Sequence, residues 1–171
     1  LEDGEMMFHS DRSFAEYPFM ATTLYALEVP PRGGNTLFAN CYRAYDAVPD
    51  RIKKLLKNSK ALHVYDYDNN QVQKTVANSP DAPRWEQPIF RTHPETGKKS
   101  VYVNRLMTEH IVGMEEQESS DILRELYDLS EREDFIYEHK WTVGDLMVWD
   151  NRCTMHARTH FDPNQRRMLR R

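Results

Sequence analysis

Three residues far apart in the chain have the chemistry to share a metal ion: His9 and Asp11, separated by Ser10, and His156. In an extended segment, side chains two positions apart point to the same face, so an imidazole and a carboxylate there can converge on one cation. That spacing alone fits a surface histidine beside a solvated aspartate equally well. The downstream half adds weight: Gly144-Asp145-Leu146-Met147-Val148-Trp149-Asp150-Asn151-Arg152 reads as an apolar strand ending in a polar turn, and Cys153-Thr154-Met155-His156 then presents a histidine. Two histidines and one carboxylate on one face of a metal leave three positions open, the arrangement used at iron(II) for oxygen chemistry. The ending Arg166-Arg167-Met168-Leu169-Arg170-Arg171 supplies cations. As a strand it puts Arg167 and Arg171 on one face and Arg166 and Arg170 on the other, so one pair points inward. A buried guanidinium needs an anion, and a carboxylate is its natural partner. An exposed basic edge strand that discourages aggregation is the other reading of the same residues.

The elements that must position these groups are mostly strands. Ala21 to Val29 is rich in β-branched, aromatic and aliphatic residues and stops at Pro30-Pro31. Gly33-Gly34 turns into a short strand from Thr36 to Ala39. Further strands are expected at Ala61 to Tyr65, Pro88 to Thr92, Val101 to Val103, Phe135 to Trp141, Asp145 to Trp149 and Met168 to Arg171, with His93-Pro94-Glu95-Thr96-Gly97 as a turn. Two peripheral helices are expected. One follows Pro49-Asp50 and carries Ile52, Leu55 and Leu56; the other carries Ile122, Leu123, Leu126 and Leu129 behind acidic Glu115, Glu116 and Glu118. Residues 65–87 are polar and show no period, which makes them a candidate lid loop. Many short strands with peripheral helices argue for a mainly β sandwich or barrel.

Bulk properties narrow the classes. The 171 residues suffice for one domain with a real core. A net charge of −4 without basic blocks excludes an electrostatic footprint for nucleic acid, and no apolar run approaches the ~20 residues of a membrane span. Cys41 and Cys153 are the only cysteines, too few for a disulfide framework, so a reducing, cytoplasmic location is expected. The chain opens on Leu1 and closes on Arg171, and we read residues 1–171 as a single catalytic domain lacking N-terminal and C-terminal segments.

With these elements in view, the sequence resembles the taurine dioxygenase / 2,4-dichlorophenoxyacetate dioxygenase (TauD/TfdA) family. The likeness is carried by FHSDRSF at Phe8 to Phe14, GGNTLFAN at Gly33 to Asn40 and AYDAVPD at Ala44 to Asp50. It continues in RTHPETGKKSVYVNR at Arg91 to Arg105, GDLMVWDNRCTMH at Gly144 to His156 and the QRRMLRR ending. The resemblance implies a double-stranded β-helix (jelly roll, cupin-like) and an Fe(II)- and 2-oxoglutarate-dependent dioxygenase that uses O2. Its substrate would be a small organic anion, an aryloxyalkanoate, sulfonate or alkyl sulfate, with succinate and CO2 as co-products. It further implies that His9, Asp11 and His156 bind iron and that Thr36 and Arg167 hold the distal carboxylate of 2-oxoglutarate. Arg171 would meet the substrate's anionic group, Trp149 would pack beside the metal, and Met107 would form a pocket wall. A homodimer or homotetramer fits the family, with no nucleic-acid or membrane partner. The alternatives are a metal-dependent hydrolase on the same scaffold and an inactive jelly-roll module that binds a small anion. His63, His93, His110, His139 and His160 match no ligand position, so surface or hydrogen-bonding roles are expected for them. Trp85, Trp141 and Cys153 read as packing residues.

Overall fold

In the computed structural model, which describes residues 6–66 and 79–171, every strand pairing is antiparallel. Strand β1 (Ala21–Glu28) lies between β9 (Leu146–Asp150) and β11 (Met168–Arg170). Strand β2 (Thr36–Asn40) lies between β10 (Thr154–Arg158) and β8 (Ile136–His139). A third sheet places β3 (Lys60–Val64) between β4 (Arg84–Pro88) and β7 (Thr108–Ile111), and β5 (Phe90–Thr92) pairs with β6 (Lys99–Val101). The first two sheets meet through their inner faces, where the Trp149 ring on β9 stands edge-on to Phe38 on β2 at 5.2 Å. This is the mainly β, helix-flanked architecture expected of a jelly roll.

Three helices flank the sheets among the described residues: α1 (Cys41–Ala47), α2 (Asp50–Leu55) and α3 (Glu116–Ser130). The start of α3 is chemically explicit. The Glu115 carboxylate accepts from the main-chain N–H groups of Gln117 and Glu118, satisfying donors that a first turn leaves open. Ile122, Leu123 and Leu126 then face inward and join Ile52, Leu56, Ile89, Val101 and Ile111 in the main apolar cluster. A smaller cluster of Ala39, Cys41 and Met155 lies where β2 runs beside β10.

Several elements depart from expectation for identifiable reasons. The expected strand over Pro88–Thr92 is interrupted at Ile89, whose main-chain N–H donates to Ser59 and whose carbonyl accepts from Tyr102. Phe135 closes a 3-10 turn, so the strand expected there begins at Ile136. Strand β10, which carries His156, has no alternating pattern because Met155, His156 and Ala157 are all buried, as in a strand covered on both faces. Helix α1 was not expected either; it is capped by Asn40, whose side chain accepts from Tyr42 and Arg43. Within the 65–87 stretch read as structureless, Arg84–Gln87 belongs to β4 and runs in register with β3; residues 67–78 lie outside the described residues.

Two substitutions test this packing. Leu126 is fully buried in the main cluster, so Leu126→Ala should lower unfolding free energy by about 2–5 kcal/mol in a denaturant titration. Gly33 has φ +71°, and a Cβ there would sit 2.0 Å from the His160 carbonyl oxygen. Gly33→Ala should therefore destabilise the chain beyond the cost of a left-handed residue alone, visible as a fall in Tm.

Candidate metal and anion site

The main chains of His9 and His156 form an isolated antiparallel bridge. His9 N–H donates to the His156 carbonyl at 3.0 Å, and His156 N–H donates to the His9 carbonyl at 2.9 Å. The bridge sets the two imidazoles side by side, with ring centroids 4.3 Å apart. Two residues on, the chain turns and brings the Asp11 carboxylate to the same place. His9 Nε2 lies 4.0 Å from Asp11 Oδ1, and His156 Nε2 lies 3.9 Å from Asp11 Oδ2. One donor atom from each of the three residues falls within 4.8 Å of the others. All three are buried, at 8%, 5% and 7% exposure for His9, Asp11 and His156.

Protonation follows from the surroundings. A carbonyl oxygen only accepts, so the 2.8 Å contact between His9 Nδ1 and Met7 O is an N–H donation, which leaves Nε2 as the ring nitrogen available to a cation. Burial pushes the His156 pKa well below that of an ordinary histidine, and the neighbouring His9 pushes the same way. Burial works against ionisation of Asp11 too. The Thr22 hydroxyl and the Arg171 guanidinium favour the ionised form whatever the state of His156, whose ring adds to them only when protonated, and the carboxyl is held below its usual range. Thr22 Oγ1 donates to Asp11 Oδ2 at 2.7 Å, and Arg171 Nη2 lies 2.7 Å from both carboxylate oxygens. A neutral imidazole at 156 and an ionised carboxylate at 11 are the forms that bind a divalent cation.

The Asp11 main chain is held as firmly as its side chain. Asp11 N–H donates to Asn151 Oδ1 at 2.8 Å, and Asn151 Nδ2 donates back to the Asp11 carbonyl at 2.9 Å. Neither Thr22 nor Asn151 was singled out in the sequence. Asn151 is one residue of a polar turn, and Thr22 is one β-branched residue of a strand that has several.

Of the residues expected to bind anions, Arg171 touches the cluster directly, and Thr36 and Arg167 are set by β2 and the turn before it. The β2–β10 register pairs Phe38 with His156 and Thr36 with Arg158, so Thr36 faces the same side as His156. The buried Thr36 hydroxyl accepts from Trp141 Nε1 at 3.0 Å, giving Trp141 a hydrogen-bonding role where packing was expected. Arg167 Nε donates to the Gly34 carbonyl at 2.7 Å. Gly34 has φ +66°, and a Cβ on it would come within 3.0 Å of Arg167 Cδ, so the glycine clears the path of that side chain. Arg167 and Arg171 share the inner side of β11 while Arg166 pairs outside with Glu28 at 3.0 Å, as the alternation predicts. Trp149 packs on His156 with centroids 4.8 Å apart. Met107 is buried, and its sulfur accepts from the hydroxyl of Ser13, two residues beyond Asp11.

The remaining histidines divide as follows. His63 is fully buried with Nδ1 at 3.1 Å from Ser13 Oγ, and His139 Nε2 lies 3.1 Å from Asp145. His110 and His160 are exposed. His93, Asp150 and Cys153 also stand close together, but that group is already an ion-pair lattice. Glu95 and Thr96 N–H groups point at His93 Nδ1, leaving Nε2–H to donate to Asp150 at 2.9 Å. Arg152 donates to both Asp150 oxygens and holds that carboxyl far below its usual range. A cation there would have to displace a guanidinium. Trp85, expected to pack, is 42% exposed, and Cys153 is only partly buried.

The family model described as taurine catabolism dioxygenase TauD, TfdA family matches residues 1–171. The chain is 34% identical to the alpha-ketoglutarate-dependent 2,4-dichlorophenoxyacetate dioxygenase of Cupriavidus pinatubonensis, covering 98% of this chain and 59% of that protein. It is 32% identical to the pentalenolactone F synthase of Streptomyces avermitilis, covering 96% of this chain and 59% of that protein. Among solved structures, AAD-2 in complex with Mn(II) and N-oxalylglycine superposes with a TM-score of 0.89 at 34% identity, over 98% of this chain and 67% of that one. The chain thus spans about three fifths of the length of these curated relatives. A match along its whole length, with its sheets laid out as in a solved relative, makes this chain a member of the TauD/TfdA family, on the double-stranded β-helix expected from its sequence.

Proposed function

We propose that the chain is the catalytic part of a non-haem iron(II), 2-oxoglutarate-dependent dioxygenase that hydroxylates a small organic anion. The observation that carries this reading is the meeting of His9, Asp11 and His156, with one donor atom from each inside a 4.8 Å spread. The residues fit a divalent metal. His9 offers a lone pair fixed by its bond to Met7, and the Asp11 carboxylate accepts three hydrogen bonds where two oxygens have about four lone-pair sites. Two imidazoles and one carboxylate are the donor set of facial iron(II) centres.

Bound iron(II), 2-oxoglutarate and O2 would supply the oxidising power that places oxygen on a substrate carbon, with succinate and CO2 as co-products. The protein's share is orientation and exclusion of water. The Thr36 hydroxyl, with its oxygen already accepting from Trp141, is free to donate to the distal carboxylate of 2-oxoglutarate. Arg167, steered by Gly34, supplies the charge for that carboxylate. Arg171 is 55% exposed at its side chain and can exchange its Asp11 partner for the anionic group of a substrate. Met107 and Trp149 would wall the substrate side. The relative from Cupriavidus is named for 2,4-dichlorophenoxyacetate, which supports an aryloxyalkanoate; a sulfonate or alkyl sulfate offers Arg171 the same charge. A hydrolytic metal centre leaves the Arg167 and Thr36 arrangement without a purpose, and an inactive binding module has no need of three convergent ligands. We extend the reading to a cytoplasmic homodimer or homotetramer. Two cysteines standing as free thiols and exposed apolar Leu146 and Val148 on β9 support it, and no helix among the described residues is long and apolar enough to cross a membrane.

His156→Ala should abolish 2-oxoglutarate-dependent succinate formation with added iron(II) and ascorbate, across a panel of aryloxy acids, sulfonates and sulfates. Succinate at the parent rate would remove the assignment. Arg167→Ala deletes charge-assisted hydrogen bonds of about 1.5–3 kcal/mol. It should raise the KM for 2-oxoglutarate about 10–100-fold with a smaller change in kcat, and an unchanged KM would take Arg167 out of the cosubstrate site.

A further inference from the structure

Asn151 is fully buried in the turn between β9 and β10, and each polar group of its side chain is engaged. Its Oδ1 accepts from Asp11 N–H at 2.8 Å, and its Nδ2 donates to the carbonyls of Asp11 at 2.9 Å and Phe19 at 3.1 Å. Its own main-chain N–H donates to Met20 O at 3.0 Å. One planar amide therefore grips Asp11 on both sides of its Cα, across 140 residues of sequence. Gripping both the N–H and the C=O fixes the direction of the Cα–Cβ bond and so the place of the carboxylate. The next residue, Arg12, has φ 55°, a left-handed conformation that a non-glycine residue keeps only when its surroundings hold it there.

We propose that Asn151 is the positioning residue that keeps Asp11 in ligand geometry, acting on the main chain and not on the carboxylate; this rests on the metal-centre reading above. Thr22 and Arg171 bond the carboxylate oxygens themselves and so share them with any cation. The Asn151 bonds occupy no oxygen that a metal would use. They also tie Asp11 to the turn that leads, five residues later, to His156, so one side chain registers two distant ligands against each other.

The test uses metal-free protein titrated with Mn(II), with free aquo-Mn(II) followed by electron paramagnetic resonance and folding by circular dichroism. Asn151→Ala removes the amide; Asn151→Leu keeps a similar volume and removes both the donor and the acceptor. Leu126→Ala, in the remote core, is a control destabilised without touching the site. Loss of a bond that orients a ligand typically lowers metal affinity about 10–100-fold. Both Asn151 variants should show that loss while Leu126→Ala binds Mn(II) as the parent does. A folded Asn151 variant with parental Mn(II) affinity overturns the proposal. So does failure of both variants to fold where Leu126→Ala folds, since the residue then serves the fold at large. A parent protein that binds no Mn(II) strikes at the metal-centre reading itself, a different result.

Discussion

The reciprocal pair of hydrogen bonds between the main chains of His9 and His156 is the constraint on which the rest of the site depends. It converts a sequence separation of 147 residues into a contact between imidazoles. It also fixes which way each ring points, because side chains of directly opposed residues on an antiparallel pair leave the same face. Once the two rings are set, Asp11 needs only a tight turn to join them, and the turn is held by Asn151 from the β9–β10 connection. A carboxylate desolvated to this degree is costly unless charges or donors face it. Here Thr22 and Arg171 do so.

The same economy governs the anion side. Gly33 and Gly34, both at positive φ, let the chain before β2 approach the His160 carbonyl and the Arg167 side chain more closely than any residue with a Cβ could. That approach places Thr36 at the start of β2, facing the side of His156, and Arg167 just before β11. His156, Thr36 and Trp149 sit on the two facing sheets, with Arg167 and Arg171 flanking β11, while the bulk of the apolar core is built from the helices, the third sheet and the β5–β6 pair. Rigid packing and a polar centre are kept apart, which lets the site hold buried ionisable groups without interrupting the main core.

Much of this was legible in the residues. Composition bounded by Pro30-Pro31 and by Gly33-Gly34 marked β1 and β2 closely, an apolar run ending in a polar turn marked β9, and helical spacing marked α3, whose Ile122, Leu123 and Leu126 share one buried face. The alternation of Arg166 to Arg171 showed that Arg167 and Arg171 share a face but not which face is the inner one; the family resemblance supplied that. Strand β10 was hidden by its own burial: a strand dry on both faces has no pattern to read, although it carries His156. Strand β4 was hidden for the opposite reason, since Arg84, Trp85 and Glu86 are partly or well exposed and read as loop. The clamp on Asp11 was beyond reach. Nothing in a buried asparagine's type distinguishes one that grips a ligand's main chain from one that closes a turn, and only the fold brings it to residue 11.

The most direct measurement is anomalous diffraction at the manganese edge from crystals soaked in Mn(II). A metal centre at this place gives one strong peak within direct coordination distance of a ring nitrogen of His9, a ring nitrogen of His156 and a carboxylate oxygen of Asp11. A peak seated on His93, Asp150 and Cys153 instead, or a well-ordered crystal with no peak near residues 9, 11 and 156, would contradict it.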